Sequence, residues 1–399
     1  MAVRVPSEPG GAVSTQISVG ASVAGAGSAL GAEAPFQAIR EAIAGLDGRE
    51  AALVVYFAGA SIDPQAAVEQ AVEAAPGTRL AGMTSVGEIT QGGATSAGCC
   101  ALAFANSFEI GVGVGQQASL DPRAAGRAAA SAAFAQLDHR VGYPLLLLLL
   151  DAASGDQSHT IRGAYEVTGG RVPLAGGGAN GGEAAQFADD RAYHDAVVGV
   201  GIVSPAPIGI GVAHGCVPCA VPSIVTQSVG RTLIEIDGRP AEDVYLEKLG
   251  QTGPRLTDEA FEKFAVLHPL VQLEVTGSVR LRHVHGRATG GGLACATHIP
   301  PTAAVGFAEQ EPATIVDSAR RAAGDAVRSL PHPPRAALVF DCAARRSALG
   351  EALDSEVDAL VSSLGTTTPV AGLYTRGEVG RTRGAKGDLN HAVVVVAFA

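Results

Sequence analysis

The chain of 399 residues contains no tryptophan, and aromatic residues make up only 4% of it. Little is therefore available for stacking on bases. Positive charge is also in deficit, with 28 Lys and Arg against 39 Asp and Glu, a net charge of −11. An acidic surface repels a phosphate backbone, so no nucleic-acid partner is expected. Long apolar runs are missing too. The longest, residues 145–150, is six leucines closed by Asp151, far short of the ~20 residues that span a bilayer, so no membrane partner is expected. The first residues are rich in Pro and Gly and lack the apolar stretch of a secretory signal. With six cysteines in so long a chain and no such signal, the thiols are read as reduced and the compartment as cytoplasmic. Nothing matches a hydrolase nucleophile elbow, a Walker loop, a zinc-protease helix or the kinase motifs.

What is present describes a globular chain: 47% hydrophobic residues, 17% charged residues, and 52 glycines without a Gly-X-Y period. Such glycines suit tight turns and close backbone approaches. Strand-like runs at residues 51–57, 79–82 and 145–150 alternate with helical patterns. Two of the helices open on Asp-Pro pairs, Asp63-Pro64 and Asp121-Pro122, the second running to about His139. Further strands are expected at 271–275, 279–284, 293–297, 303–307, 336–340 and 393–398, with helices at 314–330 and 348–364. This alternation predicts α/β layers with an antiparallel (α+β) part.

An internal repeat is the most informative feature. Leu80-Ala81-Gly82 with Gly87-Glu88-Ile89 matches Val370-Ala371-Gly372 with Gly377-Glu378-Val379 at a constant offset of 290. Each copy follows an Ala-Leu-Val strand and a helix. A weaker third copy is Leu174-Ala175-Gly176 with Gly182-Glu183. The expected fold is α/β in two related halves, each a mixed sheet flanked by helices, arising from internal duplication. Residues 1–15 are read as a flexible tail, 16–206 as the first half and 207–399 as the second.

These segments resemble the FIST family, an N-type half followed by a C-type half. Gly82-Met-Thr84-Ser85-Val-Gly87-Glu88-Ile89 resembles the family's Gly-Cys/Thr-Ser-x-Gly-Glu-Ile turn, and residues 176–183 its glycine-rich loop. Glu235-Ile-Asp237-Gly238-Arg-Pro240-Ala241, reaching Tyr245, resembles the Leu/Ile-Asp-Gly-x-Pro-Ala run and is the most specific match. Cys342-Ala-Ala-Arg345 resembles a Cys-x-x-Arg element, and Tyr374-Thr-Arg-Gly377-Glu378 a Tyr-Thr-x-Gly-Glu turn. Asn390 and His391 lie near the family's closing His-Asn pair, here in the order Asn-His. The resemblance covers roughly residues 16–399. It implies a cytosolic sensory module for a small ligand, with an amino acid or small carboxylate as the expected class. No kinase or cyclase segment is seen in the chain, so signalling is expected through a separate partner, such as a histidine kinase or a cyclic-dinucleotide enzyme. Some relatives bind haem as nitric-oxide sensors. In that alternative His214, within an apolar run, would be the axial ligand.

The ligand is expected in a cleft between the halves, contacted by Thr84, Ser85, Gly87 and Glu88 of one turn and by Tyr374, Gly377 and Glu378 of the other. Arg282, Cys342, Arg345 and Asn390 are expected nearby. Arg345 can hold a carboxylate with its planar fork, or pair with Glu351 or Asp354 on the following helix. Cys342 beside that charge can be a lowered-pKa thiol, which opens a second alternative, a thiol-dependent enzyme. Gly176 to Gly181 meets the spacing of a dinucleotide loop but is followed by too short a helical stretch. Cys216-Val-Pro-Cys219 has no second ligand pair for zinc. His283 and His285, flanked by arginines, are read as solvent-facing residues of a strand. No metal or cofactor is assigned.

Overall fold

Glycines alternate along three strands of the chain, and each of these strands lies against an alanine-rich helix. A Cβ at Gly25 or Gly27 would overlap the carbonyl of Ala42 or Ala38; at Gly111, Gly113 or Gly115, that of Ala133, Ala129 or Ala125; and at Gly209 or Gly211, that of Ala326 or Ala322. Small residues on both surfaces bring helix and sheet into close backbone contact. These contacts mark three copies of one unit in a computed structural model that describes residues 23–138, 141–179, 183–274, 279–381 and 387–399. The expected tail at 1–15 lies outside the described residues, as does His139.

The first unit runs through the edge strand Ala24–Leu30, helix Ala34–Ala44, strand Ala51–Gly59, helix Pro64–Ala74 and strand Arg79–Ser85. It continues into a short hairpin, Glu88–Thr90 with Gly93–Thr95, and returns along Gly98–Ala105. The second unit repeats this order from Glu109–Gln116 to Ala196–Ser204. The third begins at Ile208–His214, resumes at helix Pro312–Arg328 and strand Ala336–Cys342, and ends at Ala392–Phe398. Asp63 and Asp121 cap their helices as expected, each accepting a backbone N–H at 2.9 Å.

The hairpins are exchanged between units. Glu88–Thr90 of the first unit joins the sheet of the third; Glu378–Arg381 of the third joins the second; Gln186–Ala188 of the second joins the first. The two related halves expected from the offset of 290 are therefore present, with Gly82 and Gly372 at equivalent places, and the first half holds two copies of the unit. The weak third copy is genuine, but its register differs from the one read in the sequence. Gln186 pairs with Met83 as Glu88 pairs with Leu373 and Glu378 with Gly177, so Gln186, not Glu183, corresponds to the two glutamates.

The inner faces of the three sheets meet in one core built from Leu53, Val55, Phe57, Leu145, Leu147, Leu149, Leu338, Phe340, Val394 and Val396. Helices cover the outer faces, so the six-leucine strand is buried on both sides, as its unbroken apolar run requires. Between Ile208–His214 and Pro312–Arg328 the chain inserts an eight-stranded antiparallel sheet with its own core of Val225, Leu233, Tyr245, Phe261 and Phe307. The expected strands at 271–275, 279–284, 293–297 and 303–307 belong to it, as Leu270–Leu273, Val279–Arg282, Gly292–Cys295 and Ala304–Gln310. The helix expected over 348–364 is broken at a 3₁₀ turn, Gly350–Ala352, into Ala343–Leu349 and Leu353–Leu364.

Candidate functional site

Strand Ala336–Cys342 and its parallel neighbour Val370–Thr375 end side by side, with Cys342 opposite Thr375. The turn that follows, Arg376-Gly377, crosses to the second unit, where Gln157 Nε2 donates to the Arg376 carbonyl at 2.8 Å. Gly377 has φ +81°, and a Cβ there would press on Gln157. The inserted sheet closes the third side with His283, His285 and Thr297. Between these walls lies a cavity of about 440 Å³, which also has Arg231, Ser347 and Asn390 in its lining.

Its electrostatics are one-sided. The described lining residues include two arginines and two histidines and no carboxylate. Among the described residues nothing forms an ion pair or side-chain hydrogen bond with the Arg231 or Arg376 guanidinium, and both are exposed. Burial and these two arginines lower the pKa of His285. Burial, His285 and Arg376 hold His283 down at about 3, so it is neutral at physiological pH. Its Nδ1 lies 2.9 Å from His391 Nε2, and His391 Nδ1 lies 2.8 Å from Gln310 Oε1, a chain of rings leading from the cavity into the core. His391 adopts a left-handed backbone, φ 54°, an uncommon conformation for a buried non-glycine residue. Asn390 Oδ1 accepts the His283 backbone N–H at 3.2 Å and so fixes the strand that carries the ring.

Of the residues singled out in the sequence, Cys342, Gly377 and Asn390 line this cavity. Glu378 lies just beneath, fully buried: its Oε1 accepts Thr375 Oγ1 at 3.0 Å, its Oε2 accepts the Ala392 N–H at 3.3 Å, and Cys342 is its neighbour. Burial raises Glu378 to about 8. Cys342 is not a lowered-pKa thiol. Burial and the Glu378 carboxylate push it well up, and the charge of Arg345 is used elsewhere.

Arg345 is fully buried, 2.8 Å from Asp341 and 2.5 Å from Glu356, and donates to Ser318 at 2.8 Å. These partners replace the expected Glu351 or Asp354 and leave no free fork for a ligand. Arg282 is likewise taken, by Gln272 at 2.9 Å and Asp388 at 3.1 Å. Tyr374 is buried with Arg346 stacked over its ring at 5.2 Å. Thr84, Ser85, Gly87 and Glu88 are not among the residues lining the cavity. Their turn sits at the exchange between the first and third units, where Arg346 donates to the Val86 carbonyl as Gln157 does to that of Arg376. Glu88 is satisfied by Ser85 Oγ at 2.5 Å and Thr95 Oγ1 at 2.9 Å. His283, expected to face solvent, instead joins the cavity wall, because the third unit covers that face of the inserted sheet. Sequence reasoning missed Arg231, Gln157, Thr297 and Gln310, which have no pattern of their own and converge only in three dimensions; Arg376 lies within the expected turn from Tyr374 to Glu378 but was not singled out.

Two family models match the chain in succession: the FIST N domain over residues 52–239 and the FIST C domain over 241–381. The chain belongs to the FIST family. FIST domains are sensory domains of signal-transduction proteins. Uncharacterized proteins from two strains of Mycobacterium tuberculosis are each 27% identical over 252 residues, covering 61% of this chain and 65% of theirs. The matched segment thus spans just under two thirds of those relatives. A solved structure of cyanuric acid hydrolase from A. caulinodans aligns over 94% of this chain and 99% of that one, at 12% identity and a TM-score of 0.31, too distant to carry an argument.

The haem alternative requires His214 at the ligand cavity. His214 is not among the cavity's lining residues; its Nδ1 is buried without a partner, and burial lowers its pKa. Beside its apolar surface this cavity carries guanidinium, imidazole and amide groups, and the histidines in its lining are His283 and His285. No group of three or more His, Cys, Asp or Glu side chains with metal-binding geometry occurs among the described residues. Cys216 is buried and Cys219 exposed, both on strand Cys216–Val229. No helix of the described residues is long and apolar enough to cross a membrane.

Proposed function

We propose that this FIST protein senses a small carboxylate, an amino acid among the candidates, bound in the cavity bordered by Cys342, Arg376 and the inserted sheet. The observation that carries the reading is that Arg231 and Arg376, both without a partner among the described residues, line one cavity whose described lining has no carboxylate. A carboxylate is the ligand group that matches an arginine fork. Neutral His283 and His285, with Asn390, Gln157 and Thr297, supply the few polar contacts that orient a small molecule in such a cavity. The cavity is walled by the second unit, the third unit and the inserted sheet. A ligand there biases how these parts sit against each other, and a separate partner, a histidine kinase or cyclic-dinucleotide enzyme, reads the result. The test is a thermal-shift panel of amino acids and small mono- and dicarboxylates on the wild type. A stabilising carboxylate whose effect is lost in Arg376→Gln is expected; stabilisation retained in that variant would contradict the reading.

A further inference from the structure

We propose that Cys342 and Glu378 form a nucleophilic pair that adds reversibly to the carbonyl carbon of a small 2-oxo acid whose carboxylate is held by Arg231 and Arg376. This rests on the carboxylate reading above and adds a covalent step to it.

The pair is built rather than incidental. Cys342 lies beside Glu378, close enough for that carboxyl to raise its pKa, and the Thr375 hydroxyl and the Ala392 N–H hold the Glu378 carboxyl in place at 3.0 and 3.3 Å. The backbone amides of Ala344 and His391 act against burial and favour negative charge on the same sulfur as it develops. Glu378, raised to about 8 by burial, holds a proton in most molecules at neutral pH; its carboxylate fraction, which grows as pH rises toward 8, is the base that takes the thiol proton as the sulfur attacks. The resting thiol stays protonated, and the nucleophile forms only during the reaction.

Comparison of the three units separates this arrangement from what the fold requires. By strand register Cys342 corresponds to Gly59 and Asp151, since these residues pair with Ser85 and Ala179 as Cys342 pairs with Thr375. The first unit anchors Glu88 by Ser85 and the Gly98 N–H, the same two kinds of contact, with glycine at the cysteine position. A buried glutamate under the turn therefore does not need a thiol beside it. Only the third unit has one, and only there does it border the cavity.

The cavity itself calls for a bound polar group. Thr297 is 4% exposed and lines it, yet its Oγ1 has no partner among the described residues. A buried hydroxyl left in this state is uncommon unless something else completes it. A 2-oxo acid offers a carboxylate for the arginines and an adjacent electrophilic carbon for the sulfur. In the step the Sγ–C bond forms and the carbonyl π bond opens to an alcohol. The thiol proton passes to Glu378 and from it to the new oxygen, and reversal releases the acid unchanged. No oxidant or leaving group is involved.

The test compares iodoacetate with iodoacetamide on the full chain, reading alkylation of each cysteine by peptide mass. In either case the Sγ–C bond forms, iodide leaves and the thiol proton is lost to Glu378 and then to solvent. Cys219, the exposed cysteine, is the internal reference and follows the ordinary preference for the neutral reagent. At Cys342 we expect the preference to shift by about tenfold or more toward iodoacetate, with glyoxylate protecting Cys342 and not Cys219. Arg376→Gln, at an exposed position, removes the preference. Glu378→Gln, checked for folding by its melting transition, slows Cys342 alkylation at about pH 8–8.5, where the wild-type carboxylate is formed, by about tenfold or more. If Cys342 stays unreactive toward both reagents while carboxylates still bind in calorimetry, the covalent step is overturned and the binding site stands. If Cys342 reacts with the same preference as Cys219 and glyoxylate gives no protection, the anion site fails with it.

Discussion

Gly82 and Gly372 occupy one position in two different sheets. Each lies opposite the central strand of its unit, at Tyr56 and Val339, and each receives the exchanged hairpin of another unit, at Phe187 and Ile89. A Cβ at either would run into the carbonyl of the parallel partner, and Gly176 repeats the relationship against Leu148. The repeat is thus enforced by sterics between neighbouring strands.

Gly82→Ala and Gly372→Ala are each expected to lower stability by about 1–3 kcal/mol, the range for overpacking a rigid interior. Gly253→Ala, where only the Gln251 side chain comes within 4 Å, at 3.7 Å, should be close to neutral. Denaturant midpoints of the three variants against wild type provide the measurement. Near-neutral results at both Gly82 and Gly372 would contradict the steric account.

Arg345 holds two buried carboxylates, Asp341 and Glu356, at 2.8 and 2.5 Å. Arg345→Met removes the only cation in this cluster and is expected to cost about 3–5 kcal/mol, the range for breaking a buried pair from one side. Restoring charge balance with Asp341→Asn in the same chain should recover part of the loss. A melt of Arg345→Met within error of wild type would show that the cluster contributes nothing.

Glu378 gives stability a definite pH dependence. Its folded pKa of about 8 lies above the unfolded value near 4.5, so the folded state binds the extra proton between these values. Stability then falls as pH rises from about 4.5 to 8. Glu378→Gln should remove this component, so the gap between wild type and variant narrows or reverses over that interval and is constant above it. His283 acts in the opposite sense. Held at about 3, it binds fewer protons folded than unfolded, and its contribution is lost as pH falls from 6.5 toward 3. Stability curves of wild type and Glu378→Gln that run parallel between pH 5 and 8 would contradict the assignment.

Much of the fold was legible because local rules decide it. Asp-Pro pairs started the helices, the six-leucine run announced a strand buried on both faces, and the Ala-Gly/Gly-Glu segments marked equivalent turns. The alternating glycines at 25–27, 111–115 and 209–211, each matched by an alanine-rich helix, were also in the sequence and would have revealed three units rather than two copies and a weak third. Hairpin exchange was not legible, because pairing with another unit's sheet depends on tertiary register. That register moved the third-copy equivalence from Glu183 to Gln186. The site was legible at Cys342, Gly377, Glu378 and Asn390, which lie in or beside the recurring turn. Arg345 and Arg282 have the right chemistry, but the fold spends their charges on Asp341, Glu356 and Asp388. Of the two cavity arginines without a partner among the described residues, Arg376 sits within the recurring turn, where its own position carries no repeat signal, and Arg231 comes from a loop with no pattern.

The account places ligand recognition at Arg376 and not at the equivalent turn carrying Glu88, and isothermal calorimetry tests that claim most directly. The stabilising carboxylate from the thermal-shift panel is titrated into wild type, Arg376→Gln and Glu88→Gln. Arg376→Gln is expected to weaken binding by about tenfold or more, roughly 1.4 kcal/mol, while Glu88→Gln, folded, binds as wild type. Unchanged affinity in Arg376→Gln, or loss confined to Glu88→Gln, would contradict the account.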